Sequence, residues 1–180
     1  MKGIVFTEFL DMVEEKFGLE VVDNIITKSQ VKSNGVYTSI GTYPHNEIIQ
    51  LVTQLSIEID VEVPVLVKTY GKYLFGTFNK SYPSFFEQCD NAFDFLENVE
   101  SYIHPEVRKI YPDAELPKFD TRKITETELE MIYTSPRKMF ALAEGLIEKT
   151  LVYYQETGTV SHELIEEDGS VVKFSIILHG

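Results

Sequence analysis

Apolar positions in the first half of the chain recur at the three- and four-residue spacing of helices. Val5, Phe9, Met12, Val13 and Phe17 are separated by Glu8, Asp11, Glu14 and Lys16, giving one apolar stripe, and Gly18 supplies a stop. A short second helix carries Val21, Val22, Ile25 and Ile26. Ser33-Asn34-Gly35 reads as a turn, after which His45-Asn46-Glu47 leads into Ile48, Ile49, Leu51, Val52 and Leu55. Pro64 stands at a first helical position, where its missing N–H costs nothing, ahead of Val65, Leu66, Tyr70, Tyr73, Leu74, Phe75 and Phe78. From Ser84 the pattern predicts one long helix whose face runs through Phe85, Phe86, Cys89, Ala92, Phe93, Leu96, Val99 and Ile103. His104 closes that run, about three turns after Phe93. Pro105 disfavours helical geometry in the residue before it, so His104 is expected at a helix break, a kink or a new helix start.

The period changes beyond Tyr111-Pro112 and Leu116-Pro117. Leu129, Met131 and Tyr133 alternate with Glu128, Glu130 and Ile132, which resembles a strand. Lys138 to Leu151 returns to helix, with Met139, Leu142, Ala143, Leu146 and Ile147 on or near one face. Thr159 to Leu178 reads as two strands around the turn Glu167-Asp168-Gly169. The expected fold is α+β. A helical N-terminal lobe over about residues 1–62 precedes a lobe over about 63–180 with an antiparallel sheet and helices.

Composition narrows the function classes. Twelve Phe and ten Tyr supply enough apolar surface to line a cavity as well as a core. The 29 acidic residues against 16 basic ones give a formal charge of -13, which disfavours nucleic acid and anionic membranes as partners. Cys89 is the only cysteine, so neither an intramolecular disulfide nor a cysteine-rich metal cage is available. Acidic residues interrupt the N-terminal segment within a few positions, unlike a signal peptide, and no apolar run approaches the ~18 residues of a membrane span. A soluble cytoplasmic protein is expected.

Two features carry candidate chemistry. Of His45, His104, His162 and His179, only His104 adjoins an aromatic-rich stripe, where an imidazole is either a packed side chain or a metal ligand. In Tyr133-Thr134-Ser135-Pro136-Arg137, extended geometry would turn Tyr133, Ser135 and Arg137 to one side. A phenol, a hydroxyl and a guanidinium there make a receptor for a carboxylate or phosphate; the alternative is a strand end whose polar residues cap the following helix.

The start Met1-Lys2-Gly3-Ile4-Val5, the segment Ile103-His104-Pro105-Glu106-Val107, the stretch from Tyr111-Pro112 to Leu116-Pro117, and Tyr133-x-Ser135-x-Arg137 about thirty residues after the histidine resemble, in order and spacing, the haem nitric oxide/oxygen-binding (H-NOX) domain. The resemblance covers essentially the whole chain. That family includes bacterial stand-alone sensors and the haem domain of soluble guanylate cyclase. The resemblance implies haem b with His104 as proximal iron ligand and Tyr133, Ser135 and Arg137 on the propionates. It also implies that Pro117 presses on the porphyrin and that Ile4 touches it, although both residues also suit an ordinary core.

Oxygen-binding members place a tyrosine five residues after the motif's arginine; here that position is Leu142. Leu74, Phe75, Phe78 and Leu146 complete an apolar distal wall, with Tyr70 and Tyr73 as the nearby tyrosines that could substitute. The expectation is binding of nitric oxide and carbon monoxide at ferrous haem without a stable oxygen complex. The chain carries no kinase or cyclase motif, so a separate partner, a histidine kinase or a diguanylate cyclase, is expected to receive the signal. Some relatives bind zinc through cysteines near the final hairpin. The corresponding stretch from Ser161 to Gly169 has no cysteine, so no zinc is expected and His162 is read as a surface or hairpin residue. The competing readings are a peroxidase-like haem enzyme and a haem-free interaction module on the same fold.

Overall fold

The computed structural model describes residues 1–179. Helix α1 (Ile4–Phe17) stops where Gly18 takes a positive φ of 87°, and α2 (Leu19–Ser29) follows directly. Helices α3 (His45–Ile59) and α4 (Val63–Ser81) come next, α4 with Pro64 in its first turn as expected. The N-terminal residues pair with the loop before α3, through Gly3 N–H to Gly41 O (2.8 Å) and Ile4 N–H to Ser39 O (2.9 Å). This pairing anchors the start of α1.

The single long helix expected from Ser84 is divided. Helix α5 (Pro83–Glu87) ends before Cys89, and α6 (Ala92–Asn98) begins anew where the Asn91 side chain accepts the Asp94 N–H at 2.9 Å. A π-turn, Val99–Ile103, then joins α6 to α7 (His104–Ile110). His104 opens α7 in helical geometry (φ −61°, ψ −40°) despite Pro105 after it. The widened turn resolves the conflict: His104 N–H reaches back to Val99 O, five residues earlier, and the proline ring follows with no N–H to satisfy.

Among the described residues, four strands form one antiparallel sheet in the order β1-β2-β4-β3: β1 (Lys118–Thr125), β2 (Glu128–Thr134), β3 (Gly158–Leu164) and β4 (Val171–Leu178). The fold is α+β. Strand β2 alternates as read, burying Leu129, Met131 and Tyr133, and β4 adds Val172, Phe174 and Ile176 to the same core. Strand β1 had no hydrophobic signature, since Phe119 is its one buried residue. Helix α8 (Phe140–Tyr153) connects β2 to β3 and crosses α4 at very close range. Glycines at the crossing make this approach sterically feasible. A Cβ on Gly71 would lie 2.3 Å from the Leu142 carbonyl oxygen, and one on Gly145 would lie 2.1 Å from that of Lys68.

Apolar side chains gather in two clusters. One unites α1 to α4, with Phe6, Phe9, Ile48, Leu51 and Leu55 fully buried. The other lies between the sheet, α8 and the α5–α6 region. Helix α4 serves both, placing Leu74 in the first and Phe75 in the second.

Candidate functional site

Where these elements meet, they enclose a cavity of about 280 Å³. Leu74, Phe75 and Phe78 enter from α4, Leu142 and Leu146 from α8, and Ile4 from the start of α1. His104, Pro117, Tyr133, Ser135 and Arg137 also line it. Residues far apart in sequence, each a candidate from the sequence alone, thus share one wall system.

His104 is buried. Its Nδ1 lies 3.0 Å from Glu100 Oε2, and the carboxylate accepts, so Nδ1 carries the proton. The same Oε2 accepts the backbone N–H of Phe119 on β1 at 3.1 Å. Burial pushes the His104 imidazole below its ordinary pKa, while Glu100 acts in the opposite direction. The result at neutral pH is a neutral ring whose side-chain hydrogen bond runs through Nδ1, leaving the Nε2 lone pair for another partner.

Tyr133, Ser135 and Arg137 line the cavity, and the segment they belong to terminates strand β2. Tyr133 Oη accepts the Met139 N–H at 3.0 Å, and Ser135 Oγ accepts the Arg137 N–H at 3.2 Å. Paired geometry ends near Ser135, and Lys138 turns to a positive φ of 57° before α8. At the cavity edge the Arg137 guanidinium donates to the Glu115 carboxylate and backbone oxygen, each at 2.5 Å.

Tyr70 and Tyr73, the tyrosines weighed as distal donors, do not line the cavity. Tyr70 is fully buried and donates to Val5 O at 2.6 Å. The cavity tyrosines that pattern reading missed are Tyr82 and Tyr111, whose hydroxyl oxygens lie 3.1 Å apart. Burial and this contact push the Tyr82 phenol up to about 12. His162 lies on β3 with Nδ1 3.3 Å from Glu144 Oε2, away from the cavity wall.

The donor set indicates what the cavity suits. Among the described residues, no group of three or more His, Cys, Asp or Glu side chains could hold a bare metal ion. One imidazole beside an apolar space instead suits a metal that brings its other ligands with it, as iron in haem does. The Arg137 fork, with Glu115 as a carboxylate stand-in, fits the propionates of the same group.

Comparison with known proteins agrees. The chain matches the Haem-NO-binding family over residues 2–162. The H-NOX protein of K. algicida, solved in its unliganded Fe(II) form, is 47% identical over 100% of this chain and 97% of that one, with a TM-score of 0.96. The H-NOX protein of Shewanella woodyi in the Fe(II)CO state is 36% identical, over 98% of this chain and 94% of that one, with a TM-score of 0.83. That of S. oneidensis in the Fe(II)NO state is 25% identical over the full length of both chains, with a TM-score of 0.92. No curated protein matches the chain. By sequence match, fold and site composition, this chain belongs to the Haem-NO-binding family, the H-NOX proteins.

Proposed function

We propose that the chain is a haem-based sensor of nitric oxide that signals to a separate protein. His104 supplies the axial nitrogen, Tyr133, Ser135 and Arg137 hold the propionates, Pro117 presses on the porphyrin and Ile4 touches it. The observation that carries this reading is a single buried imidazole whose Nδ1 lies against a carboxylate, set in the wall of an apolar cavity. The resemblance implies haem of b type, and a chain with one cysteine has no Cys-x-x-Cys-His attachment motif. Once bound, ferrous haem supplies an open position for a diatomic gas and an iron–imidazole bond that nitric oxide weakens.

The distal wall decides which gas stays. Oxygen depends on a hydrogen-bond donor far more than nitric oxide or carbon monoxide does. Leu142, Leu146, Leu74, Phe75 and Phe78 offer none. Of the other cavity hydroxyls, Tyr82 and Tyr111 contact each other, and Tyr133 and Ser135 are assigned here to the propionates. The same absence of an acid or base beside Leu142 argues against peroxidase-like turnover.

Absorption spectra of the ferrous reconstituted protein test the assignment. Nitric oxide and carbon monoxide are each expected to give stable shifted spectra, whereas air is expected to oxidise the protein without a persistent oxygen spectrum. Leu142→Tyr, which places a phenol on that wall, is expected to gain oxygen affinity. A persistent oxygen spectrum from the unaltered chain would overturn the gas assignment.

Output requires another molecule, since the chain has no phosphate-binding or cyclase motif of its own. A histidine kinase or a diguanylate cyclase suits that role, with the signal carried by a conformational change. We place the protein in the cytoplasm; no helix among the described residues is long and apolar enough to cross a membrane. Zinc has no part in this reading, because the stretch from Ser161 to Gly169 has no cysteine.

A further inference from the structure

The π-turn before α7 does more than accommodate Pro105. It places Glu100 one wide turn ahead of His104, with the carboxylate against Nδ1 of the ring. One oxygen, Oε2, accepts both the His104 Nδ1–H (3.0 Å) and the Phe119 N–H (3.1 Å). The Phe119 ring itself lies 5.9 Å from the imidazole, centroid to centroid. The ring is therefore tied through a single carboxylate oxygen to the backbone of strand β1.

We infer that Glu100 is the positioning residue for the iron ligand, fixing the Nδ1–H tautomer of His104, strengthening Nε2 as a donor and tethering the imidazole to β1. The inference rests on the reading of His104 as the haem ligand. A carboxylate accepting from the remote nitrogen draws its proton outward and raises electron density at the ligating nitrogen. Its charge-assisted hydrogen bond is also stronger than one to a neutral amide. Because Oε2 is shared, displacement of the ring removes one of the two hydrogen bonds there. The strand then experiences a changed anchor at Phe119. Glu100 thereby gives movement of His104 a direct route to the sheet.

The test mixes the full chain carrying His104→Gly with ferrous haem and titrates free bases, reading haem uptake by absorption. Imidazole retains the N–H that Glu100 would accept; 1-methylimidazole does not. With Glu100 present, imidazole is expected to bind roughly 10–100-fold more tightly, the range of a hydrogen bond to a charged group. Adding Glu100→Gln is expected to bring that preference to below about tenfold, as for a neutral acceptor. The glutamine side chain has the same shape, so any crowding of the methyl group is common to both backgrounds and cancels. In the chain with His104 intact, Glu100→Gln is expected to lower the iron–histidine stretching frequency in resonance Raman spectra.

Equal affinity for the two bases with Glu100 present, or a stretching frequency unmoved by Glu100→Gln, would overturn the positioning role while leaving His104 as ligand. A His104→Gly protein with the unaltered chain's haem spectrum, without added base, would remove the underlying reading and this inference with it.

Discussion

Replacing His104 with glycine is expected to yield a folded protein that no longer retains haem until free imidazole is added. The side chain lies in the cavity wall and its ring makes one hydrogen bond, to Glu100, so its removal opens space without stranding a buried donor. Glu100 keeps its second bond, to Phe119 N–H. Loss of an outer-shell partner costs roughly 10–100-fold in metal affinity, and loss of the ligand itself is expected to exceed that. Visible absorption during haem titration measures it. Unchanged uptake without imidazole would remove His104 as the ligand.

The imidazole-rescued protein separates haem binding from signalling. A free base fills the cavity but is not attached to α7, so its movement cannot pull on that helix. In the unaltered chain, nitric oxide is expected to raise amide exchange in α7 and along β1, the elements joined by Glu100. In the rescued His104→Gly protein those segments are expected to stay unchanged on the same treatment. This outcome follows from a two-state element biased by a ligand through a covalent link to the helix. Identical exchange responses in the two proteins would place the route of the signal elsewhere.

Much of this site was legible in the sequence because it depends on side-chain chemistry at short spacing. His104 beside its aromatic stripe and the Tyr133-x-Ser135-x-Arg137 run could be read directly, and all four residues line the cavity. Contacts that depend on distant parts of the chain could not. Tyr82 and Tyr111 are 29 positions apart, at the ends of α4 and α7, and only the folded chain brings their hydroxyls together. Strand β1 was silent for a different reason. It exposes Lys118, Asp120, Lys123 and neighbouring residues, so its one buried position, Phe119, could not establish an alternation. The break between α5 and α6 did leave a signal, Asn91 with Asp94 three residues on. The uninterrupted apolar face from Phe86 to Leu96 outweighed it. Glu100 was also readable in principle, as the carboxylate four positions before His104.

The α4–α8 crossing gives the largest expected change in stability. Gly145→Ala adds a Cβ that would sit 2.1 Å from the Lys68 carbonyl oxygen, a backbone atom that no rotamer change can move aside. The two helices must separate, and overpacking of this kind costs typically about 1–3 kcal/mol and occasionally more. Alanine returns at most about 1 kcal/mol through its helix propensity. With a backbone clash this severe, a net loss of about 2 kcal/mol is expected, which for a chain of this size corresponds to a fall in Tm of roughly 4–8 °C. Gly71→Ala, facing the Leu142 carbonyl oxygen at 2.3 Å, is expected to behave the same way. Gly76 supplies the control, for it lies on α4 where an added Cβ would meet nothing within 4 Å, and Gly76→Ala is expected to stabilise by roughly 0.4–1 kcal/mol. Thermal unfolding of the three variants distinguishes the clash from the propensity, because propensity alone would stabilise all three. The effect also reaches the proposed distal wall. Leu142 and Leu146 flank Gly145 on α8, while Leu74 and Phe75 follow Gly71 on α4, so helices forced apart must widen the cavity between them. Faster carbon monoxide association with the haem-loaded Gly145→Ala protein is therefore expected alongside the lower Tm, and a variant as stable as the unaltered chain would show that the crossing tolerates more than this geometry allows.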